Sequence, residues 1–150
     1  TNIVSPVNED HMIVQTALLG SPQIKKSIEI ASNLDIAITG IGTLSDAGSS
    51  LLLADCSTQE ERDEVVAQGA VGHILARFYD MDGKEVFFPN HYPITAPLSA
   101  MKTPKWSIGI VSNESKAKAT LAAIRGGYIN CLIADESLAF ELLKLAEALE

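Results

Sequence analysis

The sequence predicts an α/β fold: a mostly parallel sheet flanked by helices, carrying an inserted β-hairpin. Three observations lead there. Short apolar runs at residues 35–39, 107–111 and 129–133 read as strands buried on both faces, the usual signature of parallel strands. Between the last two lies a helical stretch reaching Arg125 and closed by Gly126-Gly127, so strand, helix and strand follow one another in a single unit. Residues 73–79 and 85–88 are strand-like and flank Asp80-Met81-Asp82-Gly83, which is the pattern of a hairpin. That hairpin interrupts the alternation of strands and helices and is a candidate flap or interface.

Taken in order, residues 2–7 read as a strand, and Asn8-Glu9-Asp10 opens a helix over 12–19 that Gly20 ends. Ser21-Pro22 starts the next, with proline at the first helical position and Ile24, Ile28 and Ala31 on one face. The strand at 35–39 runs into Gly40-Ile41-Gly42, where two glycines allow close approach to a bound group or serve a plain loop. Residues 45–55 read as a loop entering a short helix. Thr58-Gln59-Glu60-Glu61 is a capping box for a helix to Gln68, and Gly69-Ala70-Val71-Gly72 breaks it. After the hairpin, Pro93 holds residues 90–94 extended, and 97–102 forms a helical turn. Ser112 or Asn113 caps the helix that follows the strand at 107–111, with Glu114 in its first turn. Asp135 or Ser137 starts a last helix whose Leu138, Leu142, Leu145 and Leu149 cover the sheet.

The composition limits what this chain does. Its 150 residues suit one domain with a real core. Eleven basic residues against 19 acidic ones give a net charge of -8 with no basic cluster, a poor match for a phosphate backbone, so these residues are not expected to bind nucleic acid directly. No apolar run approaches the roughly 20 residues that span a bilayer, and no membrane partner is expected. Cys56 and Cys131 have neither metal nor redox spacing, and read as reduced thiols of a cytoplasmic protein. The chain starts at Thr1 rather than Met, and is expected to be a piece of a longer protein.

Candidate chemistry concentrates at the carboxyl ends of the parallel strands, where ligands of open α/β sheets bind. Lys116 lies one turn inside a helix start, beside Asn113 and Ser115, where backbone amides and a positive charge together suit an anion; the alternative is a solvated helix lysine. His73, after Gly72, is a structural histidine or a ligand reader. Asp135 accepts sugar hydroxyls or caps the helix it precedes. Asp80 and Asp82 beside Gly83 hint at a calcium loop, but the rest of that ligand pattern is missing and a hairpin turn accounts for them. No nucleophile elbow, metal cluster or phosphate-binding Walker loop is present in the sequence, and no cofactor is expected.

Gly40-Ile41-Gly42, Ser49-Ser50-Leu51-Leu52, Gly69-Ala70-Val71-Gly72, Asp80-x-x-Gly83, Lys116, Ala122-Ala123-Ile124-Arg125-Gly126-Gly127 and Leu132-Ile133-Ala134-Asp135-Glu136 occur in that order. Over roughly residues 35–143 this succession resembles the effector-binding domain of SorC-type transcriptional regulators. The resemblance implies a fold similar to sugar-phosphate isomerases and glucosamine-phosphate deaminases, used for binding rather than turnover. It implies a sugar or sugar-phosphate effector, a homo-oligomer, and DNA binding through an amino-terminal helix-turn-helix that this chain lacks. An enzyme of the isomerase or deaminase type is the alternative, needing an acid-base pair such as Asp135 or Glu136 with His73. The ligand residues implied are Lys116, His73, Asn113, Ser112, Gly72 and Gly42. Two departures stand out. The family's usual Gly-Gly before the lysine is Ser112-Asn113, and its aspartate after Gly-Ala-Val-Gly is His73. A carboxylate accepts two hydroxyl bonds, while a neutral imidazole accepts one and donates one.

Overall fold

A computed structural model describes residues 11–44, 59–87 and 93–148. The expectations for 2–7, 45–55, Thr58, Phe88, 90–92, Cys56 and Leu149 fall outside those residues. Helices α1 (His11–Gly20) and α2 (Pro22–Ala31) come first, the second with its proline in the first turn as its sequence requires. Strand β1 (Ile36–Thr39) and the short β2 (Gly42–Thr43) follow. Helix α3 (Gln59–Ala67) precedes β3 (Ala70–Ile74), β4 (Arg77–Asp80) and β5 (Glu85–Val86). A 3-10 turn over Leu98–Lys102 leads to β6 (Trp106–Val111). A second 3-10 turn, Glu114–Lys116, runs into α4 (Ala117–Arg125), then β7 (Cys131–Ala134) and α5 (Glu136–Glu147).

The strands form two sheets. β1, β6 and β7 lie parallel in that order, with Ile38 opposite Ile108 and Ile110 opposite Ile133. β2, β3, β4 and β5 form an antiparallel sheet. The hairpin therefore does not project as a flap: its four-stranded sheet packs on α4. Tyr79, fully buried, donates its hydroxyl to the Ala119 carbonyl at 3.1 Å. Tyr128, just past α4, donates to the Gly83 carbonyl at 2.6 Å. A Cβ on Gly83 would collide with the Gly126 backbone, so the turn and the helix end touch main chain to main chain.

The strand expected over 73–79 is in fact two strands. Leu75 and Ala76, with φ of 54° and 57°, turn the chain between Ile74 and Arg77, which pair with each other. Both central residues of such a two-residue hairpin loop need positive φ, and Asn-Gly normally supplies it. Leu-Ala carries no such signal, which is why the turn is invisible in the sequence. Asp80-Met81-Asp82-Gly83 is the turn its residues promise. The Asp80 carboxylate accepts from the Asp82 and Lys84 amides at 3.0 and 2.8 Å, and Gly83 has φ of 76°. The aspartates are thus turn residues, and among the described residues no group of His, Cys, Asp or Glu is placed to hold a metal.

The two faces of the parallel sheet differ. Ala37, Ser107, Gly109 and Val111 are buried on one side beneath the alanines of α4, with Leu138 of α5 in the same core. Small residues there let α4 lie close. The other face carries Ile36, Ile38, Trp106, Ile108, Ile110, Cys131 and Ile133, by the alternation of strand side chains. A smaller core of Leu44, Val65, Ala70 and Phe78 joins α3 to the antiparallel sheet. No helix among the described residues is long and apolar enough to cross a membrane.

Candidate functional site

The carboxyl ends of β1, β6 and β7 share one edge, because the three strands are parallel and in register. Each ends in glycine or polar residues there: Thr39-Gly40 at the end of β1, Ser112-Asn113 after β6, Asp135 after β7. Asn113 makes the corner. It has φ of 84° and ψ of 127°, and its side chain accepts from the Ser115 amide at 2.9 Å, capping the 3-10 turn. Asp135 clasps the corner from the neighbouring strand. One carboxylate oxygen accepts from the Asn113 amide at 2.9 Å; the other takes the Leu138 amide at 2.9 Å and the Ser137 hydroxyl at 3.1 Å. The Leu138 amide first, and the Asn113 amide next, hold this acid below the usual carboxylate range. Asp135 thus serves as helix cap and clasp together, a second job that its place in the sequence did not disclose.

Three of the corner's amides are already engaged. Asn113 gives its N–H to Asp135, Ser115 to the Asn113 side chain, and Lys116 to the Asn113 carbonyl at 3.1 Å. With these amides taken, an anion at this corner draws chiefly on the Lys116 side chain. Lys116 is half-buried, and among the described residues its ammonium has no hydrogen-bond or ion-pair partner. Its carbonyl accepts from the Thr120 hydroxyl at 2.9 Å, which fixes the join between the 3-10 turn and α4.

His73 and Gly42 meet directly. They are opposite each other in the antiparallel ladder, and a Cβ on Gly42 would run into the His73 imidazole. The ring is buried and stands edge-on to Phe78, centroids 6.2 Å apart. Gly72 points the other way: a side chain there would meet the Ala119 methyl and the Tyr79 hydroxyl, so its bareness lets β3 pack on α4. Thr43, paired with Gly72, also faces the helix and contacts the Ser115 carbonyl at 3.4 Å. Hence β2 links the two halves of the site. The turn bearing Lys116 touches one of its faces, and His73 packs on the other.

One cation at β2 escaped sequence reasoning. Arg62 of α3 is buried and donates to the Leu44 carbonyl at 2.7 Å, with Asp63 paired to it at 2.7 Å. The available signal was a lone arginine within the acidic run Glu60-Glu61-Arg62-Asp63-Glu64.

The family model described as "Putative sugar-binding domain" matches residues 1–144. The chain belongs to the SorC-type sugar-binding domain family. Transcriptional regulator LsrR of Escherichia coli (strain K12) is 32% identical over 145 residues, which cover 95% of this sugar-binding domain chain and 46% of that protein. The full-length sorbitol operon regulator SorC from Klebsiella pneumoniae matches with a TM-score of 0.78 at 26% identity, over 91% of this chain and 44% of that one. A transcriptional regulator from Streptococcus pneumoniae TIGR4 matches with a TM-score of 0.83 at 26% identity, over 98% and 56%. The chain spans about half the length of the relatives it matches. The α/β fold that the resemblance implied, a parallel sheet with helices and an inserted hairpin, is the fold observed.

Proposed function

We propose that this chain is the ligand-sensing domain of a bacterial transcriptional regulator and binds a sugar or sugar phosphate at the corner of Lys116, Ser112 and Asn113. The carrying observation is the half-buried Lys116, whose ammonium has no acceptor among the described residues, at the strand edge where α/β sheets take ligands. A charged donor in that setting gains most from an anionic ligand oxygen. Ser112 and Asn113, both exposed beside it, offer neutral donors and acceptors for hydroxyls. His73 acts from the far side of β2, seating Gly42 and with it the Gly40-Ile41-Gly42 loop.

The domain binds without turnover. Asp135, whose carboxylate clasps the corner, is fixed as an anion by three donors and is a poor proton carrier. In the full-length cytoplasmic oligomer, ligand binding shifts subunit or domain packing and so changes the affinity of a separate DNA-binding segment. Thermal-shift screening of the full-length regulator against sugars and sugar phosphates tests this. A true effector at about 100 times its dissociation constant stabilises by about 2.7 kcal/mol, and Lys116→Ala removes the response. Silence across the panel, or an equal response in the variant, overturns the reading.

A further inference from the structure

We propose that Asp135 is a built-in competitor for the effector: its carboxylate occupies the Asn113 amide, and a phosphate bound at the Lys116 corner displaces it. The proposal rests on that corner's being the ligand site, and adds the device that sets how readily the corner fills. The chain itself shows that this amide takes an oxyanion. Oδ2 of Asp135, 22 residues away in sequence, accepts from the Asn113 N–H at 2.9 Å. Glu114 and Glu136 lie close by in sequence but are exposed and make no bond to the corner, so among the described residues Asp135 is the acid engaged with its amides.

The two oxygens of this carboxylate have separate jobs. Oδ1 takes the Leu138 amide at 2.9 Å and the Ser137 hydroxyl at 3.1 Å, so α5 keeps its cap when Oδ2 lets go. Oδ2 holds only Asn113. The side chain is exposed, and water replaces the donor that Oδ2 gives up. A phosphate gains more from the same place than the carboxylate does. It brings a charge of about -2 and three acceptor oxygens, and it can also pair with the Lys116 ammonium, which makes no ion pair with Asp135. The two anions cannot share one N–H at close range, because like charges a few ångströms apart repel. Filling the corner therefore cuts the hydrogen bond that ties the β6-to-α4 junction to the start of α5, the helix that packs on both α4 and the Lys116 turn.

Calorimetric titration of the full-length regulator with inorganic phosphate tests this in the wild type, Asp135→Asn, Asp135→Ser and Lys116→Ala. Asparagine and serine both cap helices well, and serine is too short to reach Asn113, so one variant reports if the other fails to fold. Removing a unit charge a few ångströms from the bound anion is expected to tighten phosphate about 10-fold, or to make its binding measurable where the wild type binds too weakly. The gain shrinks as salt rises, which the loss of a purely structural clasp does not do. Equal or weaker phosphate binding by the two Asp135 variants, or no binding by any of the four proteins, overturns the proposal. With that result, loss of phosphate in Lys116→Ala leaves the ligand corner standing and removes only the competitor. Phosphate binding by Lys116→Ala as tight as the wild type's removes the corner, and the proposal with it.

Discussion

Two kinds of corner turn this chain, and they sit in different places. Among the described residues, positive φ occurs at Gly69, Gly83 and Gly127, and also at Leu75, Ala76 and Asn113. The glycines are joints of the scaffold: Gly69 follows α3, Gly127 follows α4, and Gly83 turns β4 into β5 against the end of α4. The others flank the candidate site. Leu75-Ala76 come one residue after the strand partner Ile74 that follows His73, and Asn113 opens the turn bearing Lys116. A residue with a Cβ gives up about 1–2 kcal/mol in the left-handed region, so such a conformation persists only where its surroundings impose it. Here they do. Leu75 packs against the main core, and Asn113 is tied through Asp135 and Ser115. Glycine serves where the turn alone matters; side chains stand where the corner must also hold something in position.

The sharpest way to break this contrast is Gly83→Ala. The added Cβ meets the Gly126 backbone and the residue keeps φ of 76°, so strain and overpacking combine to about 3 kcal/mol or more. Urea denaturation of the full-length protein reads the loss as a lower midpoint. A change within experimental error means the turn and α4 separate freely, and Gly83 is no joint. Ala76→Gly tests the opposite kind of corner and has the opposite sign. Relief of about 1–2 kcal/mol of left-handed strain outweighs the 0.5–1 kcal/mol that glycine loses through its freer unfolded chain. Ala76 also packs against the smaller core of Leu44, Val65, Ala70 and Phe78, so a net gain of up to about 1 kcal/mol is expected with Leu75 left in the core. A loss shows instead that the alanine methyl's packing outweighs the left-handed strain.

These corners also mark where the sequence was readable. Among the described residues, several elements announced by local chemistry are present: the Pro22 helix start, the turn at Asp80 to Gly83, the Gly126-Gly127 stop, and Asp135 as a cap. The Leu75-Ala76 turn was not readable, because its conformation comes from packing that a linear pattern does not carry. For the same reason β7 begins at Cys131 and not Ile129: Ile129 is buried beside Gly109, yet its chain is outside the ladder. Of the candidate site, the Lys116 corner was legible as a strand-to-helix junction. Its occupied amides were not, since Asp135 reaches Asn113 across 22 residues. Nor was the placement of His73 on the other face of β2, which follows from a register that only the folded sheet defines.

The subtlest test concerns how Asn113 is held. Asp135 has its acid strength increased by the Leu138 and Asn113 amides, so its folded pKa lies below its unfolded value. Such a group contributes stability above the unfolded pKa and loses it as pH falls through the folded one. Asp135→Asn is therefore less stable than the wild type at neutral pH, and the gap closes in acid, below the ordinary aspartate value of 3.8. Paired denaturation curves from pH 7 to pH 2 follow it; a gap that stays constant with pH means that shape and not charge makes the clasp. The Asn113→Gly background carries the comparison one step further. Glycine adopts φ of 84° without being held there, so the Asp135→Asn penalty shrinks in that background if the clasp exists to impose the corner. An undiminished penalty assigns Asp135 to capping α5 alone, and leaves the left-handed corner beside Lys116 to the Asn113 side chain and Ser115.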